Sequence, residues 1–167
     1  MTTSDGALEP RRHLLVAGRR FSLWTFDVGL ACCAVEFLAA SLGGTDDVAR
    51  LGALPVTADP GEAQVLVVSG TVTDRLAPSV RALYDRLPGP KHVISFGACA
   101  NSGGPYWDSY AVVKGVHTLL PVDVWVPGCP PRPEALLGAL RDLDARLAGE
   151  PAPVVAGPTE LLNRGAP

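Results

Sequence analysis

Short apolar runs alternate with stretches of helical spacing along this chain. Residues 64–69 (QVLVVS), 92–96 (HVISF) and 122–126 (VDVWV) are nearly unbroken apolar segments. Such runs suit strands buried on both faces of a sheet better than strands with one wet face. Residues 22–27 (SLWTFD) read as a further strand, and 13–20 (HLLVAGRR) fit either a short helix or a lead-in strand. In 74–87 (DRLAPSVRALYDRL), Leu76, Val80, Leu83 and Leu87 fall on one helical face. Pro78 is tolerated in the first turn there, and Pro88-Gly89-Pro90 ends the segment. The clearest helix is 133–147, with a stripe of Leu136, Leu137, Leu140, Leu143 and Leu147. Pro133 opens it, and Glu134 complements the positive end of the helix dipole.

Weaker patterns fill the remainder. Residues 33–42 have helical propensity closed by Gly43-Gly44, 46–51 predict one more turn, and 53–63 a loop. Residues 106–120 predict a helical middle with Tyr110, Val113 and Val116/His117 on one face. Strand and helix in alternation predict an α/β domain, a small parallel sheet with helices on both faces, flavodoxin-like. It spans residues 13–148, between a tail at 1–12 and a Pro/Gly/Ala-rich tail at 149–167.

With 167 residues, 47% hydrophobic and 19% charged, the chain can bury one substantial core. Its formal charge of −3 and lack of a basic run argue against a nucleic-acid partner. No signal peptide or membrane span is expected, because 28–40 is short and carries Glu36. In a reducing compartment, its four cysteines read as metal ligands or reactive thiols before disulfides.

Their placement is the main chemical signal. Cys32-Cys33, Cys99 and Cys129 each follow a strand-like run and a glycine: Gly29, Gly97 or Gly128. In a parallel sheet the loops after the strands collect at one edge, which would bring all four thiols together. Four such thiols suit a 4Fe–4S cluster, with one thiolate per iron, better than zinc, whose sites favour Cys-x₂₋₄-Cys knuckles. Zinc, inert buried thiols and a Cys32–Cys33 disulfide remain alternatives on spacing alone. No G-x-x-x-x-G-K or G-x-G-x-x-G pattern is present, which argues against a nucleotide site.

Four stretches carry a family resemblance: GLACCAVEF (29–37), DVARLG (47–52), APSVRALYDRLPGPKHVISFGACANSGG (77–104) and YAVVKGVHTLLPVDVWVPGCPPRPEALL (110–137). They resemble the B-type subunit of NADH-quinone oxidoreductase (respiratory complex I), the 20 kDa or PSST-type chain, over roughly residues 22–147. The resemblance implies one terminal 4Fe–4S cluster ligated by Cys32, Cys33, Cys99 and Cys129. It implies D-type, I-type and H-type (membrane) partner subunits. Quinone would be reduced at the interface with the D-type partner, and its reduction coupled to proton translocation. A chain of this family is part of an oxidoreductase (translocase), is inactive alone, and sits peripherally on the cytoplasmic side of the cell membrane. The small subunits of membrane-bound nickel–iron hydrogenases are similar in fold but typically present their first two ligands as Cys-x-x-Cys. The unspaced Cys32-Cys33 favours the quinone-reducing branch, with a hydrogenase-like electron-transfer role as the alternative.

Other residues take roles from this resemblance. Glu36, one helical turn from the cysteine pair, and Asp47 and Arg50 are candidates for the quinone side; each also reads as an ordinary surface charge. Asp108 and Tyr110 follow the Cys99 loop, Arg132 could meet a partner carboxylate, and His117 reads as structural. Trp24, Trp107 and Trp125 read as core or interface residues. The chain has Leu51 where the family usually has Phe, and 53–64 carries no basic residue, so the quinone side has diverged while the cysteines are kept.

Overall fold

The structure is a computed structural model that describes residues 13–16, 19–27, 32–36 and 64–149. Strands β1 (His13–Val16) and β2 (Arg19–Asp27) form an antiparallel hairpin, so the lead-in segment is a strand. From β2 onward, β3 (Val65–Ser69), β4 (His92–Phe96) and β5 (Val124–Val126) are added in parallel, in chain order across the sheet. The crossover from β3 to β4 contains helix α1 (Ala77–Arg86), with Pro78 in its first turn. After β4 comes the five-residue helix α2 (Ala98–Ser102), and after β5 the long helix α3 (Pro133–Leu147). Residues 32–36 are helical.

Strands β3, β4 and β5 are buried on both sides, as their unbroken apolar runs require. Strand side chains alternate between faces. Val65 and Val67 of β3 join Ile94, Phe96, Val124 and Val126 on one face, under Leu136, Leu140 and Leu143 of α3 and with Cys33. Leu66 and Val68 join Val93 on the other face, with Val80, Leu87, Ala100, Val113, Val116 and Leu120. Each fully buried Val, Leu or Ile contributes about 1.5–3 kcal/mol of apolar burial. The result is the expected α/β fold, four parallel strands extended by the antiparallel β1, with helical elements on both faces.

The predicted helix at 106–120 is a correction. Only the turns Gly104–Tyr106 and Val116–Thr118 are helical there, both of the tight 3₁₀ kind. Between them Val112 forms an antiparallel bridge with Thr73. Val113 N–H donates to Val72 O at 2.9 Å, and Asp74 N–H donates to Ala111 O at 3.0 Å. Tyr110 is 97% exposed while Val113 and Val116 are buried, so the three do not share a face. Tyr and Val have modest helix propensity, and pairing with the segment after β3 outweighs it. Gly115 at φ +113° turns the chain between Val113 and Val116. The rest of the 33–42 helix beyond residue 36, the 46–51 turn, the 53–63 loop and both tails apart from Gly149 lie outside the described residues.

Candidate functional site

The carboxyl ends of β2, β4 and β5 lie at one edge of the sheet, β4 beside β5 and β2 one strand away across β3. Cys32 and Cys33 stand in the helical residues after β2, Cys99 in α2 after β4, and Cys129 in the turn after β5. All four are free thiols; Cys33 and Cys99 are buried, and Cys32 and Cys129 are exposed.

The thiols feel one another. Burial, followed by the charges of Cys32 and Cys99, a hydrogen bond with Cys32 and the charge of Cys129, pushes Cys33 up to about 12 from 9.0. Cys129 is raised as well, by desolvation first, then by Cys32 and Cys99 and a hydrogen bond with Cys32. Neighbouring thiolates repel, so each makes the next harder to ionise. A cation placed among them would reverse that penalty and release their protons. Among the described residues, no three His, Cys, Asp or Glu side chains gather into a group that could hold a single metal ion.

Glycine makes room for the sulfurs. A Cβ on Gly97 would stand 2.5 Å from Cys33 Sγ, and one on Gly104 would stand 2.9 Å from Cys99 Sγ. Both glycines have positive φ, +94° and +55°, which side-chain-bearing residues rarely adopt. Gly128, at φ +143°, packs its α-carbon against Pro131, where a Cβ would come within 2.6 Å of backbone. Gly97 thus permits a close approach to a cysteine sulfur and Gly128 one to Pro131, while Gly29 lies outside the described residues. Four thiols from three loops, with glycine cradles beside two sulfurs, form a donor set chemically suited to an iron–sulfur cluster.

The other predicted site residues separate into two groups. Glu36 is exposed on the helical residues that carry Cys32 and Cys33. Asp47 and Arg50 lie outside the described residues. Asp108 and Tyr110 are exposed and help line an open groove of about 620 Å³, together with Asp74, Ser109, Lys114 and Leu119. Lys114 donates to the Trp107 and Ser109 carbonyls and holds that loop closed on itself. His117 and Arg132 are exposed, and Trp107 is 65% exposed, consistent with an interface. Two features next to Cys99 have no counterpart in the sequence-based expectations. One is a buried polar pair, Ser95 and Asn101. The other is the exposed Tyr106, which extends the aromatic surface of Trp107. The consecutive Gly103 and Gly104, at φ +86° and +55°, are a legible sign that the chain turns sharply there.

Comparison with known proteins shows the family of the chain. Residues 31–143 match the family described as NADH ubiquinone oxidoreductase, 20 Kd subunit. The first of the numbered B-type chains of NADH-quinone oxidoreductase in Salinispora tropica is 59% identical over 157 residues, 93% of this chain and 83% of that protein. The second such chain of Streptomyces griseus is 58% identical over 144 residues, 86% of this chain and 61% of that protein. Among solved structures, a chain of the membrane-bound sulfane sulfur reductase, an archaeal respiratory membrane complex, superposes with a TM-score of 0.65 at 32% identity, covering 77% of this chain and 72% of that one. The Ni-Fe-Se hydrogenase of Desulfomicrobium baculatum shares the fold alone, at a TM-score of 0.55 and 19% identity over 80% of this chain and 66% of its own. With more than half its length matched to the family and such identity to B-type chains, the protein belongs to the NADH ubiquinone oxidoreductase 20 kDa subunit family.

Proposed function

We propose that this chain is the electron-transfer subunit of a quinone-reducing respiratory complex, with Cys32, Cys33, Cys99 and Cys129 as ligands of a 4Fe–4S cluster. The observation that carries this reading is the placement of four free thiols after three parallel strands at one sheet edge, where Cys33 and Cys129 both feel the charges of Cys32 and Cys99. When bound, such a cluster supplies a one-electron relay whose potential depends on burial, hydrogen bonding and nearby charge. Cys33 and Cys99, buried at 1% and 5% exposure, form the dry inner side of the site. Cys32 and Cys129 form its open side, which a D-type partner would cover and where quinone would be met. Glu36 is an exposed acid on the same helical residues as the tandem pair, suited to hold a proton for quinone reduction; Asp47 and Arg50 are assigned to that side as well. I-type and H-type subunits complete the assembly, which couples electron flow to proton translocation, and this chain lies peripherally on the cytoplasmic side of the membrane. Among the described residues, no helix is long and apolar enough to cross a membrane.

The test is anaerobic reconstitution with iron and sulfide, followed by low-temperature EPR of the reduced protein and a metal count. The expected result is about four irons per chain, lost on replacing any one of the four cysteines with serine. Zinc alone, or no metal even with the D-type partner co-expressed, would overturn the reading. Glu36→Gln should retain the cluster and slow quinone reduction by the assembled complex; unchanged turnover would remove Glu36 from that role.

The relation to the membrane-bound sulfane sulfur reductase, a respiratory membrane complex named for reducing sulfane sulfur, supports a second reading, in which the complex is respiratory but its acceptor is sulfane sulfur rather than quinone. NADH-dependent quinone reduction by the purified complex would rule this out.

A further inference from the structure

Strand β4 carries one polar residue among its fully buried positions. Ser95 has no exposed surface, and Asn101, two residues after Cys99 in α2, is more than nine-tenths buried. Ser95 Oγ donates to Asn101 Oδ1 at 2.6 Å. Asn101 Nδ2 donates to Val126 O at 3.1 Å. A carbonyl oxygen can only accept, so the amide nitrogen must face Val126, leaving the amide oxygen for the serine hydroxyl. Both ends of the asparagine are therefore spoken for, and its orientation is set by its partners.

Those partners are the two walls of the thiol site. Val126 is the last residue of β5, three positions before Cys129. Its carbonyl also accepts from Gly97 N–H at 2.8 Å, and Gly128 O accepts from Ala98 N–H at 2.8 Å. Three hydrogen bonds thus tie the turn that carries Cys99 to the turn that carries Cys129. Two are backbone bonds, and the third depends on a single side chain. Buried polar side chains of this kind rigidify their surroundings when their polar atoms are paired, and here both the amide oxygen and the amide nitrogen have a partner.

We infer that Asn101, oriented by Ser95, is a positioning residue that sets the spacing between Cys99 and Cys129. The inference rests on the four-thiol reading above, since it gives that spacing a purpose. Without the Asn101 link, the two turns are held by backbone bonds alone, and the Cys99 side of the site can drift from the Cys129 side.

Amide hydrogen exchange on the full-length chain, before any reconstitution, tests the link directly. Asn101→Ala should speed exchange at Gly97 and Ala98 by about tenfold beyond any change at the β3 amides, because a buried hydrogen-bonded tie has been removed locally. Ser95→Ala should do the same to a smaller degree. Val80→Ala, a cavity under α1 in the β3–β4 connection, should lower overall stability without singling out those two amides. After iron loading, Asn101→Ala should shift the EPR g values and midpoint potential, while Val80→Ala should leave both at wild-type values. Exchange at Gly97 and Ala98 that merely follows β3, or an iron-loaded Asn101→Ala spectrum superposable on wild type, would overturn the inference. If Asn101→Ala does not fold, Ser95→Ala decides, and unchanged protection at Gly97 and Ala98 in it counts against the link. If the wild-type chain takes up no iron, the cluster reading falls, and the exchange contrast alone decides whether Asn101 positions the two turns.

Discussion

Two connections cross the same face of the sheet, and they are built by opposite means. The one from β3 to β4 contains a regular ten-residue helix that buries Val80, with Leu87 closing it into the core. The one from β4 to β5 contains the five residues of α2, two 3₁₀ turns and positive-φ glycines at 97, 103, 104 and 115. The first is held by burial of an apolar stripe, which is non-directional and tolerant of small changes. The second also buries Val113, Val116 and Leu120, but its irregular course is set by hydrogen bonds and close backbone approaches, which are directional. A regular helix repeats one geometry, whereas glycines in the left-handed region let the chain reverse within a residue or two. The second connection uses that freedom to keep Cys99 against the β5 turn and to put Tyr106, Trp107 and Tyr110 on the surface.

The contrast breaks most readily at the glycines. A Cβ at residue 115 would lie 2.4 Å from Asn101 O, and one at residue 97 would lie 2.5 Å from Cys33 Sγ. Gly115→Ala and Gly97→Ala combine backbone strain of about 1–3 kcal/mol with overpacking of about 1–3 kcal/mol. Urea unfolding should show losses of about 2–6 kcal/mol for each, with Gly97→Ala also disturbing the Cys33 environment. Losses under about 1 kcal/mol would mean that the turns relax easily and that the two connections differ less than their geometry suggests.

Val80→Ala probes the helical crossover. Removing two buried methyl groups should cost about 2 kcal/mol by the same measurement, through lost burial and a small cavity. A clearly larger cost than for either glycine substitution would invert the comparison.

A pH titration sharpens it at the thiols. Cys33 rises from 9.0 to about 12 on folding, so the folded chain holds that proton more tightly than the unfolded one. Its contribution is whole below about pH 9, the thiol's ordinary value, and is lost as pH climbs toward about 12. In the metal-free chain, stability should decline over that window by up to about 1.4 kcal/mol per pH unit for this thiol. Cys33→Ser should flatten the decline; an unchanged slope would assign it to other groups.

The smallest effect has the opposite sign. Gly138 lies inside α3, where an added Cβ meets nothing within 4 Å and φ is not positive. Gly138→Ala should stabilise by about 0.5–1 kcal/mol, since alanine loses less backbone freedom in a helix. Destabilisation there would show that α3 uses the glycine for close packing.

Legibility in the sequence follows the same division. Strand β4 and helix α3 are predicted at their observed limits, because an unbroken apolar run or a leucine stripe is a local signal that tertiary packing reinforces. The gathering of the cysteines is also readable, since parallel strands oblige the loops after them to meet at one edge. The segment 106–120 is not readable. Its Tyr and Val residues carry weak helical periodicity, and its conformation is set by Thr73 and Val72, some forty residues earlier.

By itself, then, the sequence determined the α/β class, the order of the strong elements, the four thiols at one edge and the family to which they point. These rest on periodicity and residue type, which act over a few neighbours. Only the tertiary structure decided that Gly97 packs against Cys33, that Cys33 and Cys99 are inside while Cys32 and Cys129 are outside, and that Asn101 ties the Cys99 turn to β5. The physical reason is distance. Burial, repulsion between thiols and a hydrogen bond to the carbonyl of a residue 25 positions away arise between atoms that meet only once the sheet has formed.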